Sequence, residues 1–174
     1  MRKNLSRELV IAAYLDSLDR PSERAVNFRG LSAALGCAHT NLYNFFADWD
    51  ALRWAGVEAI LERLGRAVRE GAGPVEAYAR FALDHPAWYR LLWFETLPPP
   101  SSTRPAELAA AATEPVFRLL AEYRPQASAE ALREAVDMGH DMVHGALAKA
   151  LSGRLGDTPA GAEDFAARTA GRAM

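Results

Sequence analysis

The sequence predicts an all-α protein, and three observations carry that prediction. Apolar residues recur at three- and four-residue spacing through most of the chain, proline and glycine gather at the breaks, and no stretch alternates long enough for a strand. The expected layout is an N-terminal three-helix helix-turn-helix head, joined by a long fourth helix to a helical-bundle body. The head is expected at residues 1–54 and the body at 55–174.

The first helix is expected from about Leu5 to Leu18, with Leu5, Leu9, Ala12 and Ala13 inward. Asn27 is placed to cap the second helix, whose face is Leu31, Ala34 and Leu35. Gly36 stands where that helix must stop, because glycine takes the left-handed conformation without strain. Apolar spacing resumes at Leu42, Phe45 and Phe46, a second short helix of about two turns. Asp48 then caps a fourth helix running to about Glu70, with Leu52, Ala55, Ala59, Ile60 and Leu64 on one face.

GAGP at 71–74 is a break. His85-Pro86 divides the next stretch into two helices, since proline suits a first helical position. PPPSSTRP at 98–105 reads as a rigid connector. A helix follows to about Tyr123, and Pro115 should kink or restart it near Glu114. Ser128 caps a long helix ending at Gly153 or Gly156, and Thr158-Pro159 opens a last one to about Arg172.

A chain of 174 residues, half of them hydrophobic, can bury a core and is too apolar for a disordered segment. No run approaches the roughly 18 apolar residues of a membrane span. Asp16 and Asp19 interrupt the N-terminal apolar run, so no secretory signal is expected. The single cysteine, Cys37, excludes an internal disulfide and fits a reducing, cytoplasmic setting; a buried, small apolar role is expected for it.

Net charge is −2; residues 1–66 carry nine Lys/Arg against eight Asp/Glu, and residues 67–174 carry eleven against fourteen. The head is barely basic, and Gly30–Leu52 holds no Lys or Arg. Cations that meet phosphate would have to come from Arg2, Lys3, Arg7, Arg24, Arg29 and Arg53. Enzymatic readings lack support: there is no phosphate-binding glycine loop, HExxH, GxSxG or paired-cysteine motif.

Leu31-Ser32-Ala33-Ala34-Leu35-Gly36-Cys37, then Asn41-Leu42-Tyr43-Asn44-Phe45-Phe46 with Leu52 behind, resembles the DNA-binding motif of the tetracycline-repressor (TetR) family. Trp49 stands where that family usually has lysine, and Ala38 where it usually has a capping residue. YARFALDHPAWYRLLW and DMVHGALAKALSGRL resemble the C-terminal ligand-binding domain of one TetR subgroup, marked by a His-Gly pair on a late helix, here His144-Gly145.

The resemblance implies a dimeric, ligand-responsive regulator, a repressor of palindromic operator DNA. His39, Thr40, Asn41, Tyr43 and Asn44 lie on one side of the recognition helix, and Asn and Thr can hydrogen-bond base edges. Arg29 and Trp49 complete the expected DNA-binding set. For Trp49 two readings stay open: indole against the sugar-phosphate backbone, or a cover over an apolar patch.

Tyr78, Phe81, Trp88, Tyr89, Trp93, Phe117, Met138, Met142 and His144 have the bulk to line a cavity for an apolar or aromatic effector, although aromatic residues at helical spacing are more often plain core. Asp137, His140, Asp141 and His144 approach one another on a helix. Lacking a third histidine, they are not expected to hold metal, and no cofactor is expected. Ala135, Gly139, Val143, Ala146 and Ala150 form a small-residue seam suited to a homodimer. The alternative is a TetR-like sensor or interaction protein whose head no longer reads DNA; least favoured is an unrelated helical enzyme.

Overall fold

The computed structural model describes residues 5–20, 26–71 and 73–152. All regular elements among them are helical: α1 (Arg7–Asp19), α2 (Phe28–Leu35), a 3-10 helix (His39–Asn44), α3 (Trp49–Glu70), α4 (Pro74–Asp84), α5 (Pro86–Trp93), α6 (Arg104–Tyr123) and α7 (Ala129–Leu151). The fourth helix expected from the sequence is thus α3. The last helix expected from Thr158 lies outside the described residues.

Side-chain caps set four of the starts. Asn27 accepts from the Gly30 amide at 2.9 Å, Asp48 from that of Ala51 at 2.7 Å, and Ser128 from that of Ala131 at 3.1 Å. Each satisfies an amide that the first helical turn leaves without a partner. Ser6 does the same for Leu9, so α1 begins two residues later than the apolar spacing suggests. Gly36 closes α2 with φ +65°, and the Gly36 and Cys37 amides bond back to the carbonyls of Ala33 and Ser32.

Three local readings need correction. The buried face of α1 is Val10, Ile11, Tyr14 and Leu15, whereas Ala12 is exposed and Leu5, Leu9 and Ala13 are half-buried. Both sets fit a helical period; Tyr14 gains more from burial than alanine does, which favours the observed rotation. Helix α6 runs from Arg104 to Tyr123 with Pro115 inside it, so the helix does not restart there. Cys37 is half-buried rather than buried.

Compactness divides the chain into two units, one within Met1–Ile60 and Ala87–Pro105, the other within Leu61–Pro86 and Ala106–Met174. The first therefore draws in the stretch from α5 to the start of α6, which a division at residue 54 does not foresee. Its core holds Val10, Tyr14, Leu15, Leu42, Leu52, Ile60, Tyr89 and Leu91. Within it α1 packs on α2 and α2 on the 3-10 helix. In the second unit α4 packs on α7, with Ala79, Ala82, Val143 and Leu147 buried.

Candidate nucleic-acid interface and sensor site

The turn after Gly36 delivers the His39–Asn44 element. It is a 3-10 helix, not the α-helix expected: the amides of Asn41 and Phe45 bond three residues back, to Ala38 and Leu42. Ala38 provides no side-chain cap, and Thr40, Asn41 and Asn44 favour caps and turns over helix interiors, so the tighter winding prevails. Leu42 is fully buried and anchors the element, while His39, Thr40, Asn41, Tyr43 and Asn44 are all exposed on it. Arg29 is exposed on α2.

An aromatic cluster supports this face from behind. The Phe28 ring meets Tyr43 edge-on at 5.0 Å and Trp49 at 5.4 Å, and Trp49 meets Tyr14 at 5.3 Å. Trp49 is half-buried, one side of its ring packed on Phe28 and Tyr14. Tyr43 stays 52% exposed and holds the His39 ring at 6.1 Å.

Arg53 departs from the expectation that it could meet phosphate. Its guanidinium bonds Glu95 at 2.7 Å and Asp50 at 3.1 Å, with only 16% of the side chain exposed. Burial works against its charge, but the two carboxylates more than offset that and hold it protonated. Arg7 lies over the Phe46 ring at 5.1 Å. Burial, with the nearby Glu95 charge, pushes the Tyr14 hydroxyl up to about 12, and Arg53 opposes them.

The nine expected effector residues divide between the units. Trp88, Tyr89 and Trp93 belong to the first: the Trp88 indole donates to the Leu15 carbonyl at 2.9 Å, and Tyr89 is 1% exposed. Tyr78, Phe81, Phe117, Met138, Met142 and His144 belong to the second. There the Tyr78 hydroxyl meets His144 Nδ1 at 3.3 Å, and Phe117 lies beneath the Arg133 guanidinium at 5.8 Å. Met138 and Met142 are 66% and 50% exposed.

Sequence reasoning misses His140 as a partner of this site. Its ring stacks on His144 at 5.8 Å and approaches that of Tyr78 at 5.4 Å. The i, i+4 spacing of the histidines is the available signal, but spacing alone points as readily to metal as to a ring stack. Of the seam, Ala135 is exposed, Gly139, Ala146 and Ala150 are half-buried, and Val143 is buried. Among the described residues no group of three or more metal-ligating side chains is placed to hold an ion, and no helix is long and apolar enough to cross a membrane.

Solved structures share the fold, among them two that cover most of this chain. One, a protein of unknown function from Rhodococcus sp. RHA1, is 22% identical with a TM-score of 0.74, covering 97% of this chain and 94% of that one. The other, a chain named as a candidate regulatory protein, SCO4313, is 16% identical with a TM-score of 0.71, covering 95% and 93%. No curated protein matches the sequence. Residues 73–173 match the family described as tetracyclin repressor-like, C-terminal domain, and the chain belongs to that family.

Proposed function

We propose that the protein is a ligand-responsive transcriptional regulator, a repressor that binds palindromic operator DNA as a homodimer and is released by a small apolar or aromatic effector. The observation that carries this reading is the His39–Asn44 element, which turns five polar or amphipathic side chains to solvent while Leu42 anchors it. Asn41, Asn44 and Thr40 offer hydrogen bonds to base edges, and Arg29 and Tyr43 offer contacts to phosphate.

Ala135, Met138, Gly139, Met142 and Ala146 recur at three- and four-residue spacing along α7, a face suited to a second copy. The exposure of both methionines supports assigning them to that face, leaving Tyr78, Phe81, Phe117 and His144 as the effector residues. A ligand that binds one arrangement of the dimer more tightly shifts the population of DNA-competent protein by that difference in affinity.

A second reading is favoured by the charge on the head. Arg53 is committed to two carboxylates, Trp49 replaces the family's usual lysine, and Gly30–Leu52 carries no cation. Every phosphate left without a cation lowers the salt slope of binding by about one unit. The head then serves a sensor or interaction protein that no longer recognises DNA.

Titrating the protein with duplex DNA from upstream of its own gene, at low and moderate salt, separates the two. Sequence-specific binding that falls with salt supports the regulator. Equal, feeble binding to every duplex supports the sensor and defeats the first reading.

A further inference from the structure

The second unit brings three ring side chains from two helices together. Tyr78 of α4 is buried, and its hydroxyl lies 3.3 Å from His144 Nδ1. His140, one turn before His144 on α7, stacks on that ring at 5.8 Å with 15° between the planes. Both imidazoles are half-buried, so the cluster is open to solvent as well as backed by protein. Phe81 on α4 and Val143 and Leu147 on α7 are buried apolar neighbours in sequence.

Resting on the effector-binding body that both readings above share, we infer that this cluster is the polar end of the effector site and is built for an organic acid, an aryl or alkyl carboxylate. Two stacked imidazoles repel once both are protonated, so the cluster by itself disfavours its own charge. Burial, and then His140, hold His144 below the usual histidine range, with Asp141 opposing. Titratable groups beside His144 include His140 and Asp141 on its own helix and Tyr78 on α4; Asp141 is 85% exposed and 3.8 Å from His140.

A carboxylate arriving in its ionised form supplies the counter-charge. One proton then passes from solvent to His144, and the imidazolium and the phenol donate to the two carboxylate oxygens. No covalent bond forms or breaks. A neutral amide or alcohol gains no such charge-assisted pair, and a cation opposes the proton. Affinity for an acid therefore rises as pH falls, because proton uptake and binding are linked.

Benzoate and decanoate, with benzamide and decanamide as neutral counterparts, are the probes. Binding to the full chain is measured by calorimetry at about pH 6 and about pH 8, and the His140 and His144 ring protons are followed by NMR. At least one acid is expected to bind about tenfold more tightly at the lower pH and to raise the midpoint of His144 titration. Its amide should bind more weakly. His144→Gln should abolish the pH dependence, and Tyr78→Phe should weaken the acid several-fold without altering helix content.

Acids that bind no better than amides, that bind equally at both pH values, or that leave His144 titration unmoved would overturn the inference. If His144→Gln fails to fold, the NMR titration of the unaltered protein decides alone. Operator binding measured on the same samples keeps the two readings apart. Specific DNA binding with no acid effect sinks only this inference; an acid docked at His144 in a protein blind to DNA sinks only the regulator.

Discussion

In the first unit Trp88, Trp54 and Arg53 meet partners from distant parts of their own chain, whereas on α7 of the second unit two methionines stand in solvent. Trp88 reaches back to Leu15, Glu95 to Arg53, and the Trp54 indole donates to the Pro98 carbonyl at 3.0 Å. Met138 and Met142 stand exposed. The difference teaches where substitution acts. In the first unit it should cost stability of the single chain; on the outer face of α7 it should change association and leave the chain's own stability nearly untouched.

The largest expected effect is that of Trp88→Ala. It removes a buried ring and leaves the Leu15 carbonyl without this donor, and should cost about 3–5 kcal/mol in denaturant unfolding. Were Trp88 instead a wall of an effector cavity, the stability loss would be small and ligand affinity would fall. That outcome would break the contrast at once.

Alkaline unfolding comes next. The Tyr14 hydroxyl binds its proton more tightly folded, at about 12, than in an unfolded chain at about 10. The resulting stability is complete below about pH 10 and is lost as pH rises through about 12, amounting to about 2–3 kcal/mol at most. Tyr14→Phe should flatten that loss in a stability-against-pH series. An unchanged curve would mean that the hydroxyl is solvated.

Gly56→Ala sharpens the same region at smaller cost. A methyl there would lie 2.7 Å from Tyr14 Cε1, so α1 and α3 must separate or the ring must turn. A loss of about 2 kcal/mol in thermal or denaturant unfolding is expected, despite alanine's better helix propensity. A gain would show that the ring yields freely.

The smallest effect on the chain itself is expected from Met142→Lys. Stability of the single chain should move by less than about 0.5 kcal/mol, while sedimentation shows a shift toward monomer. A dimer unaffected by the added charge would remove α7 from the proposed interface.

Much of the architecture is legible locally. Asn27, Asp48, Ser128, Gly36 and the His85-Pro86 break each mark a helix boundary, because caps and stops act over a few residues. The rotation of α1 is not legible, since two apolar faces on one helix fit the same period. The winding of His39–Asn44 escapes for a related reason: pattern reports which side chains face inward, not whether amides bond three or four residues back.

The candidate sites divide in the same way. Exposure of the polar side chains on His39–Asn44 follows from their spacing around Leu42, and one sequence suffices to see it. The fates of Arg53, Trp88 and His144 do not. Arg53 is separated from Glu95 by 42 residues, Trp88 from Leu15 by 73, and Tyr78 from His144 by 66. By itself the sequence determined an all-α chain with an exposed polar face on the His39–Asn44 element, because short-range periodicity and capping encode both. Tertiary structure alone decided which cation is neutralised, which aromatics are core and which histidines meet a phenol, because those pairings depend on chain returns that local chemistry does not specify.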